Sequence, residues 1–149
     1  MALFLTSAWV VLVDQITKTI VTRQIPPWDE IECLGGLLRI THVYNPGAAF
    51  GILQNKQILS IIAAVIGTAL ILFFYPRIPR RRWSMRLGMA LSLGGALGNL
   101  VDRVVVGSVI DFIDIGFLPV FNVADSAIVV GVALLLLGIV RDPSGRRSN

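Results

Sequence analysis

The chain has 149 residues, of which 55% are hydrophobic and only 15% charged, and it carries a formal net charge of +4. Soluble domains hold about 25% charged residues, and a chain of this length buries only about 70% of its unfolded surface, so this much apolar side chain cannot all be hidden from water. The composition excludes a soluble globular protein, a disordered chain and, with Cys33 as its one cysteine, a disulfide scaffold; it points to one integral membrane domain over residues 1–149.

A bilayer core of about 30 Å takes roughly 20 apolar residues in helix. Four stretches meet that length: residues 2–21, 57–75, 85–106 and 122–140. The expected fold is an all-α membrane protein with four transmembrane helices. The first stretch sits where a signal peptide would. It has no basic segment before it and no small-residue cleavage site behind a short apolar run, so it reads as a retained span.

The segment after the first span is long for a compact protein and is expected to carry structure of its own. Leu37 to Tyr44 (LLRITHVY) is rich in β-formers, with Gly35-Gly36 as a turn signal ahead of it. A small β-rich region at the outer surface is expected there. Asn45-Pro-Gly-Ala-Ala-Phe-Gly51 follows, and its Gly47 and Gly51 suit a re-entrant turn packed closely on the spans.

Between the second and third spans, Pro76 to Trp83 together with Arg86 supplies five arginines and no acid, and the tail adds Arg141, Arg146 and Arg147. The loop from Gly107 to Phe121 has neither lysine nor arginine, and the long first loop has only Arg23, Arg39 and Lys56. By the positive-inside rule, both termini and the arginine loop lie in the cytoplasm and the other two loops face outward. The arginines thus read as topology signals and not as nucleic-acid contacts. Trp28, Tyr75 and Trp83 suit the interfacial aromatic belt.

Ionisable and amide groups at membrane depth are costly unless partnered, and they face the bundle interior. Asp14 and Lys18 are four apart in the first span, on one helical face, and suit an ion pair. Lys18 equally suits snorkelling to the interface. In the third span, Gly94 and Gly98 let another helix come close. Asn99 and Arg103 share a face there and read as interhelical glue. Arg103 also suits a carboxylate or a lipid phosphate. At the head of the fourth span, Asn122 and Asp125 are three apart on one face. Asn122 also suits the N-cap of that helix, with Asp125 favoured by the helix dipole.

Counted back from Arg141 at about 1.5 Å per residue, Asp125 lies about 24 Å up its span, near the outer edge of the hydrocarbon. Asp111 lies just past the outer end of the third span. If those helices are neighbours, both carboxylates reach one level. Two close carboxylates at low dielectric do not both ionise, and one keeps a proton, as in aspartic proteases. The charged partner can then activate water while the neutral one protonates a carbonyl oxygen. Asp114 and Asp102 compete with Asp111 for this role, and spacing does not choose among them.

Other chemistries find little support. One histidine and one cysteine cannot build a His/Cys zinc site, and no HExxH occurs. Cys33 and His42 share a loop with no evident orienting acid, and a serine nucleophile would depend on His42 with no GxSxG-type elbow. Neither a P-loop nor a GxGxxG is present. The rival from another class is a small ion or proton transporter, its path lined by Asp14, Lys18, Asp102 and Arg103.

Three segments, in this order and at these span positions, carry a resemblance. They are Asn45-Pro-Gly-Ala-Ala-Phe-Gly51, then Gly94-Gly-Ala-Leu-Gly-Asn-Leu-Val-Asp-Arg103 continuing to Val109-Ile-Asp-Phe112, and Phe121-Asn-Val-Ala-Asp-Ser-Ala127. From Asp14 to the end of the fourth span the chain resembles the lipoprotein signal peptidases (signal peptidase II), bacterial inner-membrane aspartic peptidases. The resemblance implies that Asp111, in V-x-D-F, and Asp125, in F-N-x-A-D, form a catalytic dyad. It implies that Asp14, Lys18, Asn45, Gly47, Asn99, Arg103, Asn122 and Ala124 shape the site or hold substrate. The link between the two aspartates is shorter here than in some relatives and holds few polar residues.

The implied reaction is hydrolysis of the bond before the diacylglyceryl-modified cysteine of a prolipoprotein, near the extracytoplasmic face. The implied partners are that substrate and membrane lipid, with no nucleic acid. No metal or cofactor is expected, and the protein is expected to be a monomer.

Overall fold

The structure is a computed structural model and describes residues 1–46 and 56–141. It is mostly helical. Helix α1 (Ala2–Gln24) leads into strands β1 (Glu30–Cys33) and β2 (Leu38–Asn45). Helices α2 (Lys56–Phe74) and α3 (Trp83–Val105) follow, then β3 (Val109–Asp114) and α4 (Val123–Arg141). Each helix ends within three residues of the expected span.

Helix α1 shows why this sequence needs lipid. Its buried stripe is Leu3, Ser7, Val10, Asp14, Lys18 and Val21, at successive steps of three and four. Its opposite stripe, Leu5, Trp9, Leu12, Ile16 and Ile20, is exposed. Polar groups face in and apolar groups face out, the reverse of a water-soluble helix.

Three helices are long and apolar enough to cross a membrane: Ala2–Gln24, Ile58–Arg77 and Val123–Arg141. Helix α3 matches them in length at 23 residues but is less apolar, because it carries Ser92, Asn99, Asp102, Arg103 and several glycines. Of the four spans expected, three are thus matched by helices apolar enough to cross a membrane among the described residues. Helix α3 is also the centre of the packing, touching α1, α2 and α4.

Beside the helices stands the small β-rich region that was expected. The strands form one antiparallel sheet in the order β1-β2-β3. The first loop supplies β1 and β2, as its β-formers suggested. Strand β3 comes from the loop between α3 and α4. Val43 pairs with Asp111 and Asn45 with Val109, and the register shifts between Ile40 and Val43. Phe112 on β3 packs with Val21 and Ile25, so an apolar cluster fastens the sheet to the end of α1. Trp28 and Trp83 are exposed, as belt residues should be, whereas Tyr75 is buried beneath the Arg86 guanidinium.

Close helix approach rests on small residues. A methyl group added at Gly94 would meet Val10 Cβ of α1 at 2.6 Å, so the Gly94–Gly98 pair serves α1. Gly95, on the next face, lies against the Ala124 carbonyl of α4. A side chain there must push α3 and α4 apart. Gly95→Val is therefore expected to lower stability by about 1–3 kcal/mol. Gly67→Ala on α2, where an added methyl meets nothing within 4 Å, should leave stability unchanged or raise it slightly. Thermal unfolding of both variants in detergent checks this.

Candidate active site

The buried polar groups converge on Lys18. Its ammonium donates to Asp14 Oδ2 at 2.8 Å and to Asn99 Oδ1 at 3.2 Å, and lies 2.6 Å from Asp102 Oδ2. All three donors of the ammonium are thus engaged. Lys18 and Asp102 are 2% exposed and Asp14 is fully buried, so the ion pairs sit away from water. Lys18 does not snorkel.

Both carboxylates take further donors. Ala124 N–H, at the head of α4, donates to Asp14 Oδ1 at 2.9 Å. Ile110 N–H donates to Asp102 Oδ2 at 3.2 Å, and Gln15 Nε2 to Asp102 Oδ1 at 2.8 Å. The geometry has a local origin. The i, i+4 spacing aligns Asp14 with Lys18, and Gly98 leaves room for Asp14 against α3.

Asn99 and Asn122 carry the network outward. Asn99 accepts from Lys18 through Oδ1 and donates through Nδ2 to Asp125 Oδ1 at 2.7 Å. Asn122 accepts the Asp125 N–H on Oδ1 at 2.8 Å, which makes it the N-cap of α4. Its Nδ2 donates to Asp111 Oδ1 at 2.7 Å and to Asn99 Oδ1 at 3.1 Å. The capping reading and the site reading of Asn122 describe one side chain using both ends of its amide.

Asp111 is held from its other side by Asn45. Val43 pairs with Asp111, and alternate residues of a strand share a face, so Asn45 is the diagonal neighbour of Asp111. Asn45 Nδ2 donates to Asp111 Oδ2 at 2.9 Å. Burial pushes the Asp111 carboxyl up to about 6; the Asn45 bond opposes this, the Asp125 charge adds to it and the Asn122 bond also opposes it. A carboxyl in that range beside a second carboxylate can hold a proton near neutral pH.

Asp111 and Asp125 line one cavity of about 550 Å³. Asn45 and Ser126 add polar groups, and Leu118, Pro119, Val120, Phe121, Val129 and Val130 make the rest of the wall apolar. The arrangement suits a reactive polar centre against a greasy ligand.

The competing aspartates are elsewhere. Asp114 is three residues along β3 from Asp111 and so points to the opposite face. There it takes Arg39 Nε at 2.9 Å, and the Gly116 N–H and Arg39 hold its carboxyl below the ordinary range. Asp102 is bound to Lys18 and not to the adjacent Arg103. Arg103 donates to the Asn99 carbonyl at 3.3 Å. Ala124 is fully buried and contributes its backbone. Gly47 and the turn that follows it lie outside the described residues. Cys33 is in register with Leu38, while His42 is buried with Nδ1 against the Ile25 carbonyl, and no thiol dyad links them among the described residues.

Gln15 was missed. It stands beside Asp14 as an uncharged amide, and only the approach of α3 reveals that it bridges Asp14, Gly98 and Asp102.

The family described as signal peptidase (SPase) II matches residues 6–141. A lipoprotein signal peptidase of Moorella thermoacetica is 42% identical over 135 residues, covering 91% of this chain and 90% of the relative. One from Staphylococcus aureus is 35% identical over 147 residues, covering 96% and 90%. A solved structure titled as a bacterial membrane enzyme superposes with a TM-score of 0.88 at 34% identity, covering 95% of this chain and 94% of that one. A second with that description has a TM-score of 0.87, also at 34% identity, covering 99% and 93%. The transporter reading finds no support among these relatives. By its matched length, its relatives and its shared fold, the chain belongs to the signal peptidase II family.

Proposed function

We propose that this chain is a membrane aspartic endopeptidase that cleaves prolipoproteins before their diacylglyceryl-modified cysteine and releases the signal peptide. The observation that carries this reading is that Asp111 and Asp125 line one cavity in a chain of a signal peptidase family. The two aspartates are the catalytic dyad and share one proton in the free enzyme.

A water between them gives a proton to the charged carboxylate while its oxygen bonds to the scissile carbonyl carbon. The neutral carboxyl passes its proton to the carbonyl oxygen, and a gem-diol forms. The first carboxyl then returns its proton to the nitrogen, and one hydroxyl proton goes back to the second carboxylate. The carbonyl re-forms, the C–N bond breaks, and the new amine is the N-terminus of the lipid-bearing cysteine.

Asn45, Asn99 and Asn122 orient the dyad through the hydrogen bonds they make to it. Asp14, Lys18 and the Ala124 backbone hold α4 against α1 and α3, and Arg103 flanks the substrate chain. The lipid chains lie along the apolar wall of the cavity, where remote binding energy positions the peptide.

In this reading α3 is the fourth span, its polar side chains turned to α1 and α4. The arginine-rich end is cytoplasmic, and the dyad stands near the outer leaflet of the inner membrane, about 24 Å from Arg141 along α4. The enzyme works as a monomer.

Asp111→Asn and Asp125→Asn, each shown to be folded, are expected to lower cleavage of a diacylglyceryl-modified prolipoprotein in detergent by at least about a thousandfold. Asp114→Asn should cleave as the parent does. Retained cleavage in either dyad variant would remove that residue from the mechanism.

The pH profile follows from Asp111. Its carboxyl is pushed up to about 6, so the proton on the pair is lost as pH rises through that region and kcat/KM falls there. Asn45 donates to the ionised form and holds the carboxyl down. Asn45→Ala is therefore expected to move the descending limb to higher pH; a limb that stays or moves down contradicts the shared proton.

A further inference from the structure

The hydrolysis makes no use of the charge at the other end of the bundle. There α1 and α3 begin and α2 and α4 end. Arg77, Arg80, Arg81, Arg82, Arg86 and Arg141 gather at this end, and no acidic side chain occurs among the described residues from 56 to 101. Two cavities of about 320 and about 480 Å³ adjoin here, and Tyr75, Arg80 and Arg86 line both. The first has an apolar wall of Ala2, Leu87 and Ala90, with Trp83 at its mouth. The second is walled by Arg77 and the backbone turn of Pro76 to Pro79.

The arginines are set for a ligand. Arg86 Nη1 donates to the Ile78 carbonyl at 2.7 Å, and its guanidinium lies 4.0 Å above the Tyr75 ring. One edge of the fork is thus fixed, and Nε and Nη2 bond nothing among the described residues. Arg80 makes no hydrogen bond or ion pair among the described residues. Arg86 stands in the first turn of α3, and Arg80 follows two residues after the turn closed by the Ile78 N–H to Tyr75 carbonyl bond, so regular structure on both sides sets their backbone positions.

We infer that this double cavity binds the headgroup of an anionic phospholipid. Guanidinium forks match phosphate oxygens in pairs. The apolar wall continues into the lipid-facing side of the helices, which suits an acyl chain leaving the headgroup. Trp83, at 64% exposure, sits where an indole ring meets the bilayer interface. Zwitterionic lipids bring the same phosphate but also a cation that Arg77, Arg80 and Arg86 repel. A basic pocket between spans at the headgroup level therefore selects net negative lipids.

The test uses the full chain in dodecyl maltoside with phosphatidylglycerol, phosphatidylcholine or inorganic phosphate added. Thermal unfolding and native mass spectrometry are the readouts. Phosphatidylglycerol is expected to raise the unfolding midpoint by about 5 °C and to remain bound in the mass spectrum, while the other two do neither. Arg80→Gln changes a side chain with no hydrogen bond or ion pair to lose among the described residues, so its fold and its cleavage in detergent should be unchanged. Its affinity for phosphatidylglycerol should fall about tenfold. Arg86→Gln should lower that affinity too, and Arg80→Gln decides the matter if Arg86→Gln does not fold. The proposal fails if phosphatidylcholine acts equally, if inorganic phosphate acts equally, or if Arg80→Gln binds phosphatidylglycerol as the parent does.

Discussion

A buried ammonium orders this molecule. Lys18 lies in the bundle interior, and its charge is tolerable there only because Asp14, Asp102 and Asn99 surround it. Removing one partner of such a buried pair costs about 3–5 kcal/mol, since the other charge is left stranded. The groups come from two helices, and Asp14 also takes the Ala124 N–H of a third. The ionic cluster therefore fixes how α1, α3 and α4 meet. Two carboxylates face one ammonium, and the excess negative charge is met by Gln15 and by backbone N–H groups, one of them at the positive end of α4.

The paired aspartates depend on that arrangement without touching Lys18. Asp125 is delivered by a helix and Asp111 by a strand, two elements with different periodicities. Asn122 joins them: it caps α4 with its oxygen and holds Asp111 with its nitrogen. Asn99 links Asp125 back to Lys18. A shift of α4 against α3 would be felt at both carboxylates at once. The glycines of α3 bring the helix axes near enough for such short side chains to reach.

Burial, and not cavity size, marks the chemistry. A larger cavity of about 700 Å³ lies between α1, α2 and α3, but among the described residues its polar lining is Gln15, Ser7 and Thr68, with no carboxylate. The smaller one holds two. Helix α2 contributes little to the interior, with 6% of its apolar window buried against 28% for α1. Most of its large apolar side chains are exposed, and it carries none of the described groups around the aspartates.

Much of this was written in the order of residues. Apolar length alone placed the helices to within three residues, because hydrocarbon thickness leaves little freedom. The i, i+4 spacing of Asp14 and Lys18 anticipated their ion pair, and the Gly94–Gly98 pair anticipated a close helix. These are local relations, set by the helical repeat. What the residue order left open were relations between elements. Asp111 and Asp114 are equivalent by spacing and by helix-end position; they separate only once β3 pairs with β2, because strand alternation turns them to opposite faces. Asp102 stands beside Arg103 in the chain yet pairs with Lys18, since adjacent helical residues point apart. Gln15 and Asn45 acquire their partners only where α1 meets α3 and where β2 meets β3. Hydrophobic length and helical period determined the framework, and tertiary contact decided which acids stand together, because a carboxylate's role depends on what faces it across space.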